Sequence, residues 1–235
     1  MNESAYPATV EALQKFGRFT DTDAEDFTWQ SVLFHGFPAY MSKCDTLDDE
    51  LIAAKTMAEQ IFAFLPEKAT RDEQWPYAYG AYAPGDGQIW DAKRDFSTRM
   101  PDLSGVSAQA PKEKNCLVVF RNDRDGDIED WYIDLSFLPT LPPEFIPESV
   151  EKASVLVTVD TKWEFEFNYT NGSKGYGATV VATAYDMHGN LLKELGTAEA
   201  SPPIFNDTDE NVYANIGSHI LAVIAAYIDS YLTEK

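Results

Sequence analysis

Carboxylates clustered beside aromatic rings are the side chains of this sequence whose spacing could do chemistry. Asp21, Asp23, Glu25 and Asp26 stand next to Phe27 and Trp29, and Asp123, Asp125, Asp127, Glu129 and Asp130 run up to Trp131. Glu164 and Glu166 alternate with Trp163, Phe165 and Phe167, and Asp207, Asp209 and Glu210 form a fourth group. Acid beside exposed aromatic suits a surface that meets a cationic, groove-like partner. The carboxylates steer the encounter and the rings supply buried anchors. For any one cluster the plain alternative is a solvated acidic surface.

Other chemistries find less support. The segment NDRDGDIED (122–130) resembles part of a calcium loop, but that template needs an acid at position one and glutamate at position twelve when glycine stands at six. With Gly126 at six, Arg121 and Tyr132 fall at the two ends. No H-E-x-x-H and no paired C-x-x-C is present, so no metal is expected. His35, His188 and His219 are scattered; His188 reads as a solvated turn residue and His219 as a boundary residue of a helix. There is no G-x-S-x-G elbow. In Gly217-Ser218-His219 the Ser and His point about 100° apart on a helix and cannot form a catalytic pair with each other. Cys44 precedes Asp45, which raises a thiol's pKa, and Cys116 opens a strand, so neither thiol reads as activated. No phosphate-binding loop occurs, and Gly175-x-Gly177 lacks a third glycine. Paired carboxylates for glycoside hydrolysis have too many candidates to be informative. The residues imply no catalytic group, no cofactor and no enzyme.

Composition narrows the partners. Asp and Glu number 39 against 18 Lys and Arg, a net charge of -21 over 235 residues. Nucleic-acid binding needs basic phosphate contacts, and an anionic membrane repels such a chain. The segment MNESAYPATVEAL has neither the basic nor the apolar region of a secretory signal, and no run reaches the roughly 18 apolar residues of a spanning helix. Two cysteines are too few for a disulfide framework. A cytoplasmic protein with reduced thiols is the expectation, and the sequons at Asn2, Asn168, Asn171 and Asn206 then read as chance.

The elements that would position the acids follow from periodicity. Val10, Leu13 and Phe16 predict a short helix, and a strand is expected to end near His35. Thr46 with Asp49 marks a capping box for a helix over Leu47–Leu65, whose stripe is Leu47, Leu51, Ala54, Ala58, Ile61, Phe62 and Leu65. Trp75–Trp90 packs aromatics among glycine and proline, and Asp91–Lys112 reads as an irregular excursion. Period-two alternation then predicts strands at Cys116–Phe120, Trp131–Phe137, Ser154–Tyr169 and Gly177–Asp186, with turns at Asp125-Gly126, Asn171-Gly172 and Met187–Asn190, after which LLKEL returns the chain. A long helix over Asp209–Leu232, capped by Asp207 or Thr208, is expected to cover the sheet.

The fold class expected is therefore α+β, an antiparallel sheet in the C-terminal half covered by helices, including a long C-terminal helix. The chain reads as one domain over 1–235, divisible into an irregular helical part (1–112) and a sheet part (113–235). The functional expectation is an acidic cytoplasmic binding protein of the immunity or inhibitor type. It would neutralise a basic partner, such as a bacterial nuclease toxin, by occluding its active site. Two alternatives belong to other classes: a small-molecule or sugar-binding module, or unfamiliar enzyme, built on Trp75–Trp90; and a structural subunit of a larger assembly. The oligomeric state is not legible.

Overall fold

The computed structural model describes residues 44–64, 97–99, 103, 114–135, 137–214 and 218–234. In chain order these form α1 (Leu47–Phe64), β1 (Ser97–Arg99), β2 (Cys116–Arg124), β3 (Asp127–Ile128) and β4 (Tyr132–Asp134). Three 3-10 turns follow at Leu138–Thr140, Pro143–Phe145 and Val150–Lys152. The chain continues with β5 (Val155–Asn168), β6 (Lys174–Tyr185), β7 (Leu191–Ala200), β8 (Val212–Tyr213) and α2 (Ser218–Thr233). The expected early helix, the strand near His35, the Asp21–Asp26 cluster and the Trp75–Trp90 segment lie outside the described residues.

The cap of α1 forms as its spacing requires. Thr46 N–H and its hydroxyl donate to Asp49 Oδ2 at 3.1 and 2.7 Å, and Asp49 N–H donates back to Thr46 Oγ1 at 3.2 Å. These bonds hold the Asp49 carboxyl below its ordinary range, the Thr46 hydroxyl being the main cause. Leu51, Ala54, Met57 and Ala58 form the buried face, which packs on the turns at Leu138–Thr140 and Pro143–Phe145. Polar clamps fix that docking: Val150 N–H donates to Asp48 at 3.1 Å, and Lys55 reaches Glu148 at 3.3 Å.

The sheet corrects the expected fold class. It has eight strands in the order β1-β4-β2-β5-β6-β7, with β3 on β2 and β8 on β6. It is mixed, not antiparallel: β2 runs parallel to β5 and β8 parallel to β6, while the other pairs are antiparallel. Sheet dominates the described chain, and only two helices accompany it. The parallel pair arises because β4, which runs back beside β2, is not followed by a hairpin. The proline-rich stretch through Pro139, Pro142, Pro143 and Pro147 carries the chain across to start β5 beside the start of β2, as a parallel pair demands. A buried clasp sets the register. Asn115 N–H donates to Ser154 Oγ at 3.0 Å, Ser154 N–H donates to Asn115 Oδ1 at 2.9 Å, and Cys116 then lies opposite Val155.

Two further corrections concern elements. The stretch expected to be irregular contains β1, which pairs with β4 and brings part of the 1–112 segment into the sheet. The C-terminal helix is 16 residues and begins at Ser218, not Asp209. Residues 209–214 instead form β8 and its approach, because Val212 and Tyr213 pair with Gly175 and Tyr176 and Lys174 N–H donates to Asn211 Oδ1 at 2.9 Å. Ile220, Ile224, Ile228 and Leu232 of α2 are buried, and α2 packs chiefly on β7. One apolar core unites both helices with the inner sheet face, through Val118, Phe120, Val157, Val159, Val180 and Ala182. Among the described residues no helix is long and apolar enough to cross a membrane.

Candidate functional site

Strand register decides where the acids go. Arg124, the last residue of β2, lies opposite Trp163 of β5, and Trp163 lies opposite Ala178 of β6. The β2–β3 hairpin therefore projects beside the C-terminal end of β5. β7 ends opposite Ala178, and β8 takes over its lane alongside Gly175 and Tyr176. Three acidic groups far apart in sequence, at 123–129, 164–166 and 207–210, thus meet at one end of the sheet. Asp130 and Trp131 sit farther back, and the 21–26 group lies outside the described residues.

The hairpin is built by its own acids. Asp125 and Gly126 both take positive φ, 54° and 87°, as a two-residue type I′ turn requires. Gly126 N–H donates to Asp123 Oδ1 at 2.9 Å, and Asn122 Nδ2 donates to Glu129 at 2.9 Å. On β5, Glu164 pairs with Lys162 at 2.6 Å, and this bond raises the lysine's pKa. Glu164 shares a sheet face with Asp160 and Lys162, whereas Trp163 and Phe165 point to the opposite face with Arg124 and Tyr176. The acids of β5 therefore lie behind the aromatic face, whereas Asp125 of the hairpin reaches its rings at Tyr176.

That face carries an ordered set of rings. Trp163 meets Tyr213 edge-on with centroids 5.3 Å apart, Tyr213 stacks on Tyr176 at 4.7 Å, and Phe165 meets Tyr176 at 6.1 Å. Arg124 lies over the Trp163 and Tyr213 rings at 5.9 and 5.6 Å. Burial, followed by the charge of Asp125, raises the Tyr176 phenol. Among the described residues the Trp163 indole N–H, shut off from solvent, meets no acceptor, a local cost of about 1–3 kcal/mol.

Beyond the rings lies the loop 201–211, fastened by residues that sequence reading set aside as chance sequons. Asn171 Nδ2 donates to the carbonyls of Asn206 and Thr208, and Asn206 Nδ2 donates to Ser173 Oγ at 2.7 Å and to the Glu210 carbonyl at 2.9 Å. The Tyr169 hydroxyl donates to the Pro203 carbonyl. Pro202 is buried over Gly175, where a Cβ would lie 3.2 Å from Pro202 and Tyr169 and 3.3 Å from Phe167, so any larger residue would press these side chains back by a few tenths of an ångström. Thr208, expected to cap a helix, instead donates its N–H and hydroxyl to Asn206 Oδ1 at 3.1 and 2.9 Å. The repeated Asn with Gly or Asp at 171 and 206 is the signal that could have marked these turns.

Acid alone does not distinguish this end, because carboxylates also line α1 and the 3-10 turns. The combination of acid with apolar exposure does. Nine large apolar side chains are exposed among the described residues, and six of them, Ile128, Phe165, Phe167, Ile204, Phe205 and Tyr213, are at this end.

A second feature lies on the opposite face of β2, β5 and β6, an open concavity of about 670 Å³. Its lining includes Arg121, Trp131, Thr158, Asp160, Lys162 and Thr183. Arg121 is engaged there on two sides: Asp160 takes its Nε at 3.1 Å and a second guanidinium nitrogen, and the Trp131 ring lies 4.4 Å below. Trp131, expected as an exposed anchor, is half-buried under this cation. Hydrogen bonding to Asp160 raises the Arg121 pKa, so the fork is held charged and occupied.

Elsewhere the titratable groups are structural. Cys116 is buried and its thiol is pushed up to about 12. The Cys44 thiol is raised by burial first and by Glu50, Asp49 and Asp45 after it. His188 is exposed in the 187–190 turn, where its N–H donates to Asp186 at 2.9 Å. Among the described residues no three His, Cys, Asp or Glu side chains gather as a metal site would need.

The chain matches no family model, no curated protein and no solved structure.

Proposed function

We propose that this chain is an acidic binding protein that captures a basic protein through the end of its sheet. Acidic groups gathered at the end of the sheet that carries most of the exposed large apolar side chains support this reading. Carboxylates at the rim raise the association rate and repel anionic competitors, and the apolar centre supplies affinity once water is excluded. In its specific form the reading is an inhibitor of the immunity type, acting in the cytoplasm. Its acids would stand where a nuclease toxin's cationic groove otherwise takes phosphates.

The mid-sheet concavity favours a small-ligand site less, because its one guanidinium is already paired with Asp160 and stacked on Trp131. The structural-subunit reading draws on the same exposed patch, but a net charge of -21 resists close packing of copies.

The test is affinity capture from a lysate of the source cell at low and moderate salt. The expected result is a protein rich in Lys and Arg whose retention falls with salt. It should not be retained by a variant carrying Asp125→Lys, Glu164→Lys and Asp209→Lys. Once purified, it should lose activity on nucleic acid when one equivalent of this chain is added. Capture of no cationic protein at either salt rejects the reading.

A further inference from the structure

Ile204 and Phe205 are the most exposed large apolar side chains among the described residues, at 82% and 89%. They play no part in the apolar clusters that hold the fold together. Nor are they carried on slack chain. Pro202 is seated over Gly175, the Pro203 carbonyl is held by Tyr169, and Asn206 is tied to Ser173 and Glu210. Adjacent apolar side chains on a fastened loop lose little conformational freedom on binding, which is the condition for an anchor. Asp207, Asp209 and Glu210 follow within five residues of Phe205 and are exposed.

We propose that Ile204 and Phe205 form the apolar plug of the interface, entering an apolar pocket ringed by Lys and Arg on a basic protein. The inference rests on the capture reading above and names its anchor. The charges select this occupant over the others. Two copies meeting tip to tip would bring Asp207, Asp209 and Glu210 against their own counterparts. An anionic bilayer would repel the same residues.

The experiment places the photo-crosslinking residue benzoylphenylalanine at position 205, with a control at Ile52, an exposed apolar position on α1. Irradiation in the source-cell lysate is expected to give a discrete adduct with a cation-rich protein at 205 and none at 52. The adduct should vanish when Asp207, Asp209 and Glu210 are changed to Lys. With that protein purified, the double variant Ile204→Ser, Phe205→Ser should bind about 30-fold more weakly, mainly through faster dissociation, at an unchanged melting temperature. The lysine variant should instead slow association.

A double variant that binds as tightly as the parent overturns the plug and leaves the capture reading standing. Capture of no cation-rich protein by the parent chain overturns both. An adduct with a second copy, flotation of the parent but not the double variant with phosphatidylcholine vesicles, or equal adducts at 205 and 52 each overturn the plug.

Discussion

The two halves of β5 differ in burial although they belong to one strand. From Val155 to Trp163 the odd residues are buried, Val155, Val157 and Val159 in the core shared with the helices and Trp163 against Ala178 and Ala214. From Glu164 to Asn168 every residue is exposed, on the same continuous strand. The switch falls just beyond Trp163, where a bulge between Phe165 and Phe167 resets the register with β6. One half answers to packing and the other is displayed. A hydrophobic strand pattern therefore does not by itself report a core.

Truncations should separate the two halves first. Phe137→Ala removes a fully buried ring that meets Phe120 edge-on at 5.2 Å, and is expected to cost about 3–5 kcal/mol in urea unfolding. Phe165→Ala, at the displayed end, should cost no more than about 1 kcal/mol by the same measurement. Equal losses would erase the distinction. Next, Ser154→Ala removes the buried hydroxyl that accepts from the Asn115 N–H and donates to its carbonyl and should cost about 1–3 kcal/mol, with parallel pairing of β2 and β5 loosened in hydrogen exchange. Thr46→Ala breaks the capping box and should cost about 1 kcal/mol, felt in α1 alone.

Much of the packed half was legible, because its signals are local. The Thr46–Asp49 cap and the β5–β6–β7 meander depend on neighbours in sequence and stand in the fold, as does the Asn171-Gly172 turn at the displayed end. The parallel β2–β5 pair was not legible. It depends on where a thirty-residue crossover returns the chain, which alternation along a single strand cannot encode. The start of α2 was misread for a different reason. Asp207, Thr208, Asp209 and Glu210 look like a helix cap, but Asn206 takes Thr208's donors within the loop, and Lys174 takes Asn211. Of the candidate site, the acids were visible and their convergence was not, since only strand register brings residues 125, 164 and 209 together.

The smallest effects should be those of pH, and they carry opposite signs. Hydrogen bonds from Asn190 first, then from backbone groups of the turn, lower the Asp186 carboxyl. Its contribution is complete above the unfolded carboxylate pKa and is lost as pH falls through the lower folded value. Glu50 is raised, by burial first and by Asp49 second, and one of its oxygens is buried without a partner. Its contribution is present at low pH and is lost as pH rises through the folded value. Urea unfolding between pH 3 and 7 should therefore show Asp186→Asn weakening the protein toward the upper end of that window. Glu50→Gln should flatten the decline that the ionised Glu50 causes there.

The central claim is that the displayed end, and not the general negative charge, captures a basic protein. Two triple charge reversals with the same change in net charge test it: Asp125→Lys, Glu164→Lys, Asp209→Lys at the display end, and Glu59→Lys, Glu144→Lys, Glu151→Lys around α1 and the 3-10 turns. Association rates with the captured protein should fall at least tenfold for the first and change little for the second, with both variants folded. Equal slowing by the two sets would contradict the claim and reduce the binding to unlocalised charge.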